Sequence, residues 1–243
     1  MIFNMVFTIS KILFAYLLWN MIFAGKGTVM GFSFYGMMSY YIVSSFLSQL
    51  EMSQGVSEEI NQRIRFGTFS KYMVVPVNIE GYFLAMELGV VLFYLVFDFL
   101  AGVVWIGIFR IQFQFTANFL VMACAVLMII VGMIFMVQLN YYLGLLTLKY
   151  QGIGTFLMIK NNLVSLITGS IIPLALFPEA IIQVMKFLPF YYITYLPSML
   201  LVGYCENEAL RGIAIISIWC IVLQVVIKYT WNKYVREYDG VGI

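Results

Sequence analysis

Two acidic residues inside an apolar stretch are the side chains of this sequence with the clearest chemical potential. Glu87 and Asp98 both lie in the run 81–109. In a helix they would share one face, about 16 Å apart along the axis. Ionisable groups inside a bilayer are costly and usually face a bundle interior or water. Both are therefore candidates for a proton-carrying or substrate-path role. The alternatives are that Glu87 marks the membrane boundary and that Asp98 is a buried structural residue.

Enzymatic chemistry has little support in this chain. It has no histidine, which excludes His-based acid–base catalysis, HExxH zinc sites and Ser–His pairs. It contains neither a GxSxG nucleophile elbow nor a GxxxxGK[ST] phosphate-binding loop. The cysteines Cys124, Cys205 and Cys220 are too scattered for a metal site or a disulfide framework. We therefore expect no catalytic residue, metal or bound cofactor in this chain, and the absence of a Lys/Arg block argues against nucleic acid as a partner.

Composition predicts that these residues are positioned by membrane helices. Of the 243 residues, 63% are hydrophobic and only 10% are charged, whereas soluble domains carry about 25% charged residues. Uncharged runs recur at the length of about 20 residues that a helix needs to cross a bilayer. The sequence predicts an all-α polytopic membrane protein with one transmembrane domain. Its six predicted spans are at about 5–24, 32–50, 81–109, 118–141, 156–176 and 212–231.

A seventh apolar run, within residues 177–205, contains two prolines that argue against a straight span. Pro189 and Pro197 are eight residues apart, and each removes a backbone donor and clashes with the preceding turn. We expect two short helical pieces joined by a bend, which form a re-entrant or interfacial hairpin between spans five and six. Irregular backbone at membrane depth is tolerated where protein or water covers it.

The distribution of basic residues predicts that both termini are cytoplasmic. Six spans place nine Lys and Arg on the side of the termini and four on the other side, where the hairpin would also lie, and cytoplasmic loops carry the excess of cations. A seventh span would remove this asymmetry. The inside set is Lys11, Arg63, Arg65, Lys71, Lys149, Lys160, Lys228, Lys233 and Arg236, and the outside set is Lys26, Arg110, Lys186 and Arg211.

The charged segment 57–76 between spans two and three is therefore predicted to be cytoplasmic. Its pattern predicts a helix capped by Ser57, with acids in the first turn, isoleucines on one face, arginines near the end and a glycine stop. A second short helix would cover residues 68–75 and end before Pro76. The segment is either a connector lying on the membrane surface or a docking helix for a cytoplasmic partner. The residues of the first helix are Glu58, Glu59, Ile60, Arg63, Ile64, Arg65 and Gly67.

Three motifs resemble ABC-2 type permeases, the membrane subunits of one class of ABC exporter. The loop "EINQRIRFGTFSKYMVVPVN" places Ile60, Gly67, Tyr72 and Pro76 where the family has them. The tail "YTWNKYVREYDGVGI" resembles the family's aromatic and basic ending. The hairpin "LFPEAIIQVMKFLPFYYITYLPSMLLVG" matches the family's segment between spans five and six at Pro178, Pro189, Phe190, Tyr195, Pro197 and Gly203.

This resemblance implies a bacterial exporter of the type V class, in the cytoplasmic (inner) membrane. The segment 57–67 would be a coupling helix in a groove of a separate ATPase subunit, present in two copies, which would bind the ATP and Mg. A second permease, the same chain or a different one, would complete the complex within membrane lipid. The exported substrate would be amphipathic or lipid-like, such as a drug, an antibiotic, a peptide or a glycolipid.

Two other functions remain open at this point. The first is a proton-coupled secondary transporter that uses Asp98 or Glu87. Such folds often carry broken helices in both halves, whereas the proline-broken element occurs here only in the second half. The second is a membrane anchor or assembly factor that does not transport.

Overall fold

The computed structural model describes residues 2–29, 31–48, 54–74, 76, 78–109, 112–150, 152–168, 174 and 177–238. Within these residues the fold is entirely helical, in agreement with the predicted all-α class. The helices are α1 (Ile2–Phe23), α2 (Phe34–Leu47), α3 (Gln54–Arg65), α4 (Ser70–Val74), α5 (Ile79–Phe109), α6 (Phe119–Leu145), α7 (Gly154–Ile167), α8 (Glu179–Met185), α9 (Tyr195–Val202) and α10 (Ala209–Tyr234).

Short polar side chains begin several of these helices because the first backbone N–H groups of a helix have no partner within it. Asn118 Oδ1 accepts hydrogen bonds from the backbone at the start of α6, and Asn78 Oδ1 accepts one from Gly81 N at 3.1 Å, at the start of α5. Ser33 Oγ does the same for α2, accepting from Gly36 N at 3.0 Å.

Helix α6 is the central element of the bundle. It packs against α3, α5, α9 and α10, and half of its most apolar stretch is buried inside the protein. A small residue lets α9 approach closely: a Cβ built on Gly132 would lie 3.4 Å from Cα of Ile193, just before α9. Small residues at contacts are what allow membrane helices to pack backbone to backbone.

Two helical stretches of the described chain have the length and apolar character to cross a membrane. They are Phe119–Leu148 and Glu206–Tyr234, and they coincide with the predicted spans 118–141 and 212–231. A shorter apolar helix covers Ile12–Phe23. The six-span topology therefore stays a prediction. The predicted span 156–176 overlaps α7, but residues 169–173, 175 and 176 lie outside the described residues.

The run 177–205 forms two short helices, as its prolines predicted. Helix α8 is followed by a 3-10 turn at Pro189–Tyr192 and then by α9, which is capped by Gly203 with a φ of 92°. Proline is tolerated in the first turn of a helix, where its missing N–H has no role. Almost every side chain of α9 is buried, so α9 lies inside the bundle, against α2, α6 and α10.

Candidate functional site

The segment between the second and third predicted spans folds as α3, and one face of this helix is packed onto α6. Val56, Ile60 and Ile64 repeat every fourth residue, and each is 0% exposed. A Cβ built on Gly144 of α6 would lie only 2.8 Å from Cβ of Ile60. The Thr147 hydroxyl adds a hydrogen bond to Asn61 Oδ1 at 3.2 Å. The absence of a side chain at position 144 is therefore what lets α3 lie against α6.

This packing corrects our assignment of the docking face. We predicted that Ile60 and Ile64 enter a groove of a partner protein, but α6 of the same chain already covers them. Ser57 is not the N-cap either, because α3 includes residues from Gln54 onward and Ser57 is buried within it. Glu58 and Glu59 consequently lie in the middle of the helix. The predicted stop at Gly67 is confirmed, with a φ of 72°.

The opposite face of α3 is exposed. Glu58, Gln62 and Arg65 are exposed residues at spacings of four and three, which place them on one side of a helix. Phe66 follows directly and is 77% exposed. An aromatic side chain this accessible, flanked by charged residues and held by a turn of fixed geometry, has the character of a protein contact site.

An ion pair and an aromatic ring fix the end of α3 on α4. Arg63 donates two hydrogen bonds to Glu59 Oε1, at 2.9 and 2.7 Å. The same guanidinium lies 5.1 Å from the ring centre of Tyr72. Partial burial is the main cause that raises the pKa of Tyr72 to about 12, partly offset by the positive charge of Arg63. Glu59 and Arg63, which we assigned to a partner interface, thus mainly bind each other and this ring.

An aromatic cluster extends from this loop into the bundle. Phe69, between α3 and α4, is fully buried. Its ring contacts Tyr72, Trp231 of α10 and Tyr238, with centroids 5.6, 6.1 and 6.0 Å away. Tyr72 in turn contacts Phe83 of α5 at 5.7 Å. The loop is therefore attached to α5, α10 and the C-terminal tail as well as to α6.

The hairpin residues singled out by the sequence are structural. Pro178 precedes α8, and Pro197 is buried in the first turn of α9. Tyr195 packs between the rings of Tyr40 and Tyr191, 5.8 and 5.1 Å away. Two further residues complete the set: Pro189 begins the 3-10 turn, and the ring of Phe190 meets Phe135 of α6 at 6.2 Å.

Of the two acidic residues in the run 81–109, one can be placed. Glu87 lies on α5 and is only 5% exposed, so its side chain is buried in the protein, and its depth in the membrane stays a prediction. None of the residues that the structure describes forms a hydrogen bond or an ion pair with its carboxyl group. The side chain of Asp98 lies outside the described residues, and its role stays a prediction.

Amide side chains that the sequence analysis did not single out, one buried and one half-buried, link three helices. Gln138 Nε2 of α6 donates to Gln224 Oε1 of α10 at 2.7 Å, and Gln224 Nε2 donates to Glu80 Oε2 of α5 at 2.8 Å. A second link joins α6 to α7, where buried Lys160 donates to Asn140 Oδ1 at 3.1 Å. The sequence feature that could have indicated these links is a polar residue within an otherwise apolar predicted span, as at Gln138, Lys160 and Gln224.

A cavity of about 360 Å³ adjoins the first of these links. Its lining includes the polar residues Asn78, Glu80, Gln224 and Lys228 beside Trp231. Its size falls in the range of small-molecule sites, and its lining could hydrogen-bond a polar group. The described residues contain no cluster of three or more His, Cys, Asp or Glu side chains that could hold a metal ion.

The contact between Gly144 and Ile60 predicts an unfavourable Gly144→Ala substitution. The added methyl would overpack the α3–α6 contact, at about 1–3 kcal/mol, which exceeds the gain of up to about 1 kcal/mol from replacing glycine in a helix. The melting temperature of the purified protein in detergent should fall. Gly89→Ala in α5 is the control, because no atom lies within 4 Å of its Cβ position. An equal or higher melting temperature for Gly144→Ala would contradict the close contact.

Substitution by aspartate should affect stability very differently on the two faces of α3. Ile60→Asp would lose the burial of an isoleucine, about 2–5 kcal/mol for truncation alone, and would place a charge without a partner in the core. Gln62→Asp, half a turn away, changes only the exposed face. We expect thermal unfolding to show a large loss of stability for the first variant and almost none for the second. Similar melting temperatures would mean that α3 is not held by α6.

Comparison with known proteins assigns the chain to a family. The sequence profile described as "ABC-2 family transporter protein" matches residues 9–242, almost the whole chain. Searches of the curated proteins and of the solved structures found no match. The match includes both membrane-length helices, the α3–α4 loop and the α8–α9 hairpin. The chain therefore belongs to the ABC-2 family of transporter membrane proteins, whose members are permeases.

Proposed function

We propose that this chain is the permease subunit of an ATP-driven exporter and that it acts with a separate ATPase subunit. Membership of the ABC-2 family supports the permease role. The sequence has no GxxxxGK[ST] motif, so ATP and Mg would bind to the partner. The observation that carries the proposal is the exposed face of α3, a rigidly held surface with no partner inside the described chain.

The ATPase would dock on Glu58, Gln62, Arg65 and Phe66, which we call the outer face of α3. Burying the Phe66 ring in a partner groove could contribute about 1.5–3 kcal/mol. Glu58 and Arg65, at the rim, would orient the partner more than they would strengthen binding. This surface replaces Ile60 and Ile64, whose burial on α6 removes them from any such contact.

The inner face of α3 would transmit the movement of the ATPase. Ile60 and Ile64 are interlocked with α6, and Phe69 is packed onto Trp231 of α10. Packed interiors are poorly compressible and transmit displacement. A movement of the docked ATPase would therefore displace α6 and α10 together with α3.

The complex would contain two permeases and two ATPases in a bacterial cytoplasmic membrane, and it would move an amphipathic or lipid-like substrate outward. The resemblance of the sequence motifs supports this composition. The cavities of about 360 and 450 Å³ adjoin opposite ends of α10, and each is of a size for one small molecule. The motif resemblance implies that a path for a larger substrate would form between two permeases, either identical or different.

A proton-coupled transporter is the second candidate, and the burial of Glu87 is the observation in its favour. A buried carboxyl group in a membrane helix can carry a proton. Uptake coupled to a pH gradient by the purified chain alone, without an ATPase, would support this candidate against the first.

The exporter proposal includes six spans with both termini in the cytoplasm. Single-cysteine variants at Glu206, beyond the hairpin, and at Asp239, in the tail, should react with a membrane-impermeant thiol reagent from opposite sides. A background in which Cys124, Cys205 and Cys220 are replaced by serine or alanine keeps the labelling specific. Labelling of both positions from the same side would overturn the topology.

Substitutions on the outer face of α3 should separate ATPase binding from folding. We expect Phe66→Asp and Arg65→Glu to insert and melt like the unmodified chain, because both residues are exposed. Co-purification of the ATPase should fall sharply with Phe66→Asp, whose desolvated contact is lost, and less with Arg65→Glu. Quantitative pull-down from cells that express both subunits measures the effect.

The control for this experiment is Phe115→Asp. Phe115 is also an exposed phenylalanine outside the helices, in the α5–α6 connection, which the proposed topology places on the far side of the membrane. It should leave ATPase binding unchanged. Wild-type ATPase binding and transport by both outer-face variants would show that α3 is only a connector.

A further inference from the structure

The groove between α8 and α10 combines two basic side chains with an apolar wall. It has a volume of about 450 Å³. Lys186 and Arg211 line one part of it, and Ile215, Ile218 and Val222 line another. This groove takes no part in the proposed ATPase docking, because it adjoins the end of α10 that is distant from Trp231.

The spacing of the α10 residues fits the dimensions of one lipid leaflet. Arg211, Ile215, Ile218 and Val222 are separated by four, three and four residues, so they form one stripe along the helix. The stripe is about 16 Å long, close to half of the roughly 30 Å hydrocarbon core of a bilayer. Because α10 is one of the membrane-length helices, its basic residue would lie at headgroup level and the aliphatic residues at acyl-chain level.

The basic end of the groove keeps one uncompensated positive charge. Lys186 forms an ion pair with Glu208, and Glu208 also accepts a hydrogen bond from the Tyr191 hydroxyl at 3.3 Å. Arg211 is exposed, and it makes no ion pair with any carboxylate that the structure describes. A guanidinium free to form two parallel hydrogen bonds is well suited to a phosphate group.

The wall of the groove is held in place by the fold itself. Trp219 Nε1 donates to the Phe187 carbonyl oxygen at 3.1 Å, and the Tyr192 hydroxyl donates to the Lys186 carbonyl oxygen at 2.6 Å. Both bonds satisfy carbonyl groups just beyond the end of α8; the first attaches this end to α10, and the second attaches it to the 3-10 turn Pro189–Tyr192. The Phe187 ring stays highly exposed, beside Trp219, and tryptophan is the residue type enriched at headgroup level.

We propose that this groove binds an anionic phospholipid, with its phosphate on Arg211 and Lys186 and one acyl chain along Ile215, Ile218 and Val222. The net positive charge favours an anionic lipid over a zwitterionic one. The apolar stripe favours a lipid over free phosphate. In the proposed topology this lipid belongs to the outer leaflet, but the binding itself depends only on the membrane location of α10.

Native mass spectrometry of the full chain in mild detergent tests the proposal. The protein is offered equal amounts of phosphatidylglycerol and phosphatidylcholine with the same acyl chains. We expect phosphatidylglycerol to be retained preferentially. Arg211→Gln should weaken this retention about fivefold, the contribution of one basic residue near an anionic headgroup, while the melting temperature in detergent stays unchanged.

Lys26→Gln is the matched control, since Lys26 is another exposed cation that the proposed topology places on the same side of the membrane. It should leave lipid retention unchanged. Inorganic phosphate at millimolar concentration should not displace the lipid, because the acyl chain supplies part of the affinity. Equal retention of both lipids, equal loss in the two variants, unchanged retention in Arg211→Gln, or displacement by phosphate would each overturn the proposal.

Discussion

The contact of Ile60 with Gly144 is the constraint on which the rest of the functional surface depends. It fixes a charged, amphipathic helix onto the central helix of an apolar bundle. The apolar side of α3 is packed against α6, so its other side must face outward. The charged residues of that side and Phe66 are therefore exposed. A larger residue at position 144 would move α3 outward and change the orientation of this whole surface.

The hydrogen-bonded amides of Gln138 and Gln224 perform a comparable task within the bundle. A polar group in an apolar interior must be hydrogen-bonded or it destabilises the fold. The two hydrogen bonds that join Gln138, Gln224 and Glu80 form only when α6, α10 and α5 lie at a particular height relative to one another. Hydrogen bonds depend on direction as well as distance, so they add to the packing of apolar side chains in fixing this height. The amide link therefore specifies the arrangement of the helices that adjoin the aromatic cluster around Phe69.

The sequence predicted local features of the fold well because their causes are local. Gly67 follows the end of α3, and Pro189 begins the 3-10 turn that separates α8 from α9, while Pro197 is accommodated in the first turn of α9. The same approach assigned the wrong face of α3 to the partner. A helical repeat of isoleucines shows that one face is apolar, but not what covers it. That information lies at Gly144, in another apolar run, where a missing side chain leaves no periodic signal.

The central position of α6 connects the two regions that the family motifs single out. Gly144 contacts Ile60 of α3, and Gly132 contacts the backbone of Ile193, just before α9. Twelve residues of continuous helix separate these contacts, a distance of about 18 Å. The Gly144 contact is with the Ile60 side chain and the Gly132 contact with the Ile193 backbone, and a continuous helix packed closely at both points would move largely as one body. In the proposed exporter, a displacement of α3 by the ATPase would therefore reach the hairpin through α6 itself, and no separate chain of side-chain rearrangements would be required.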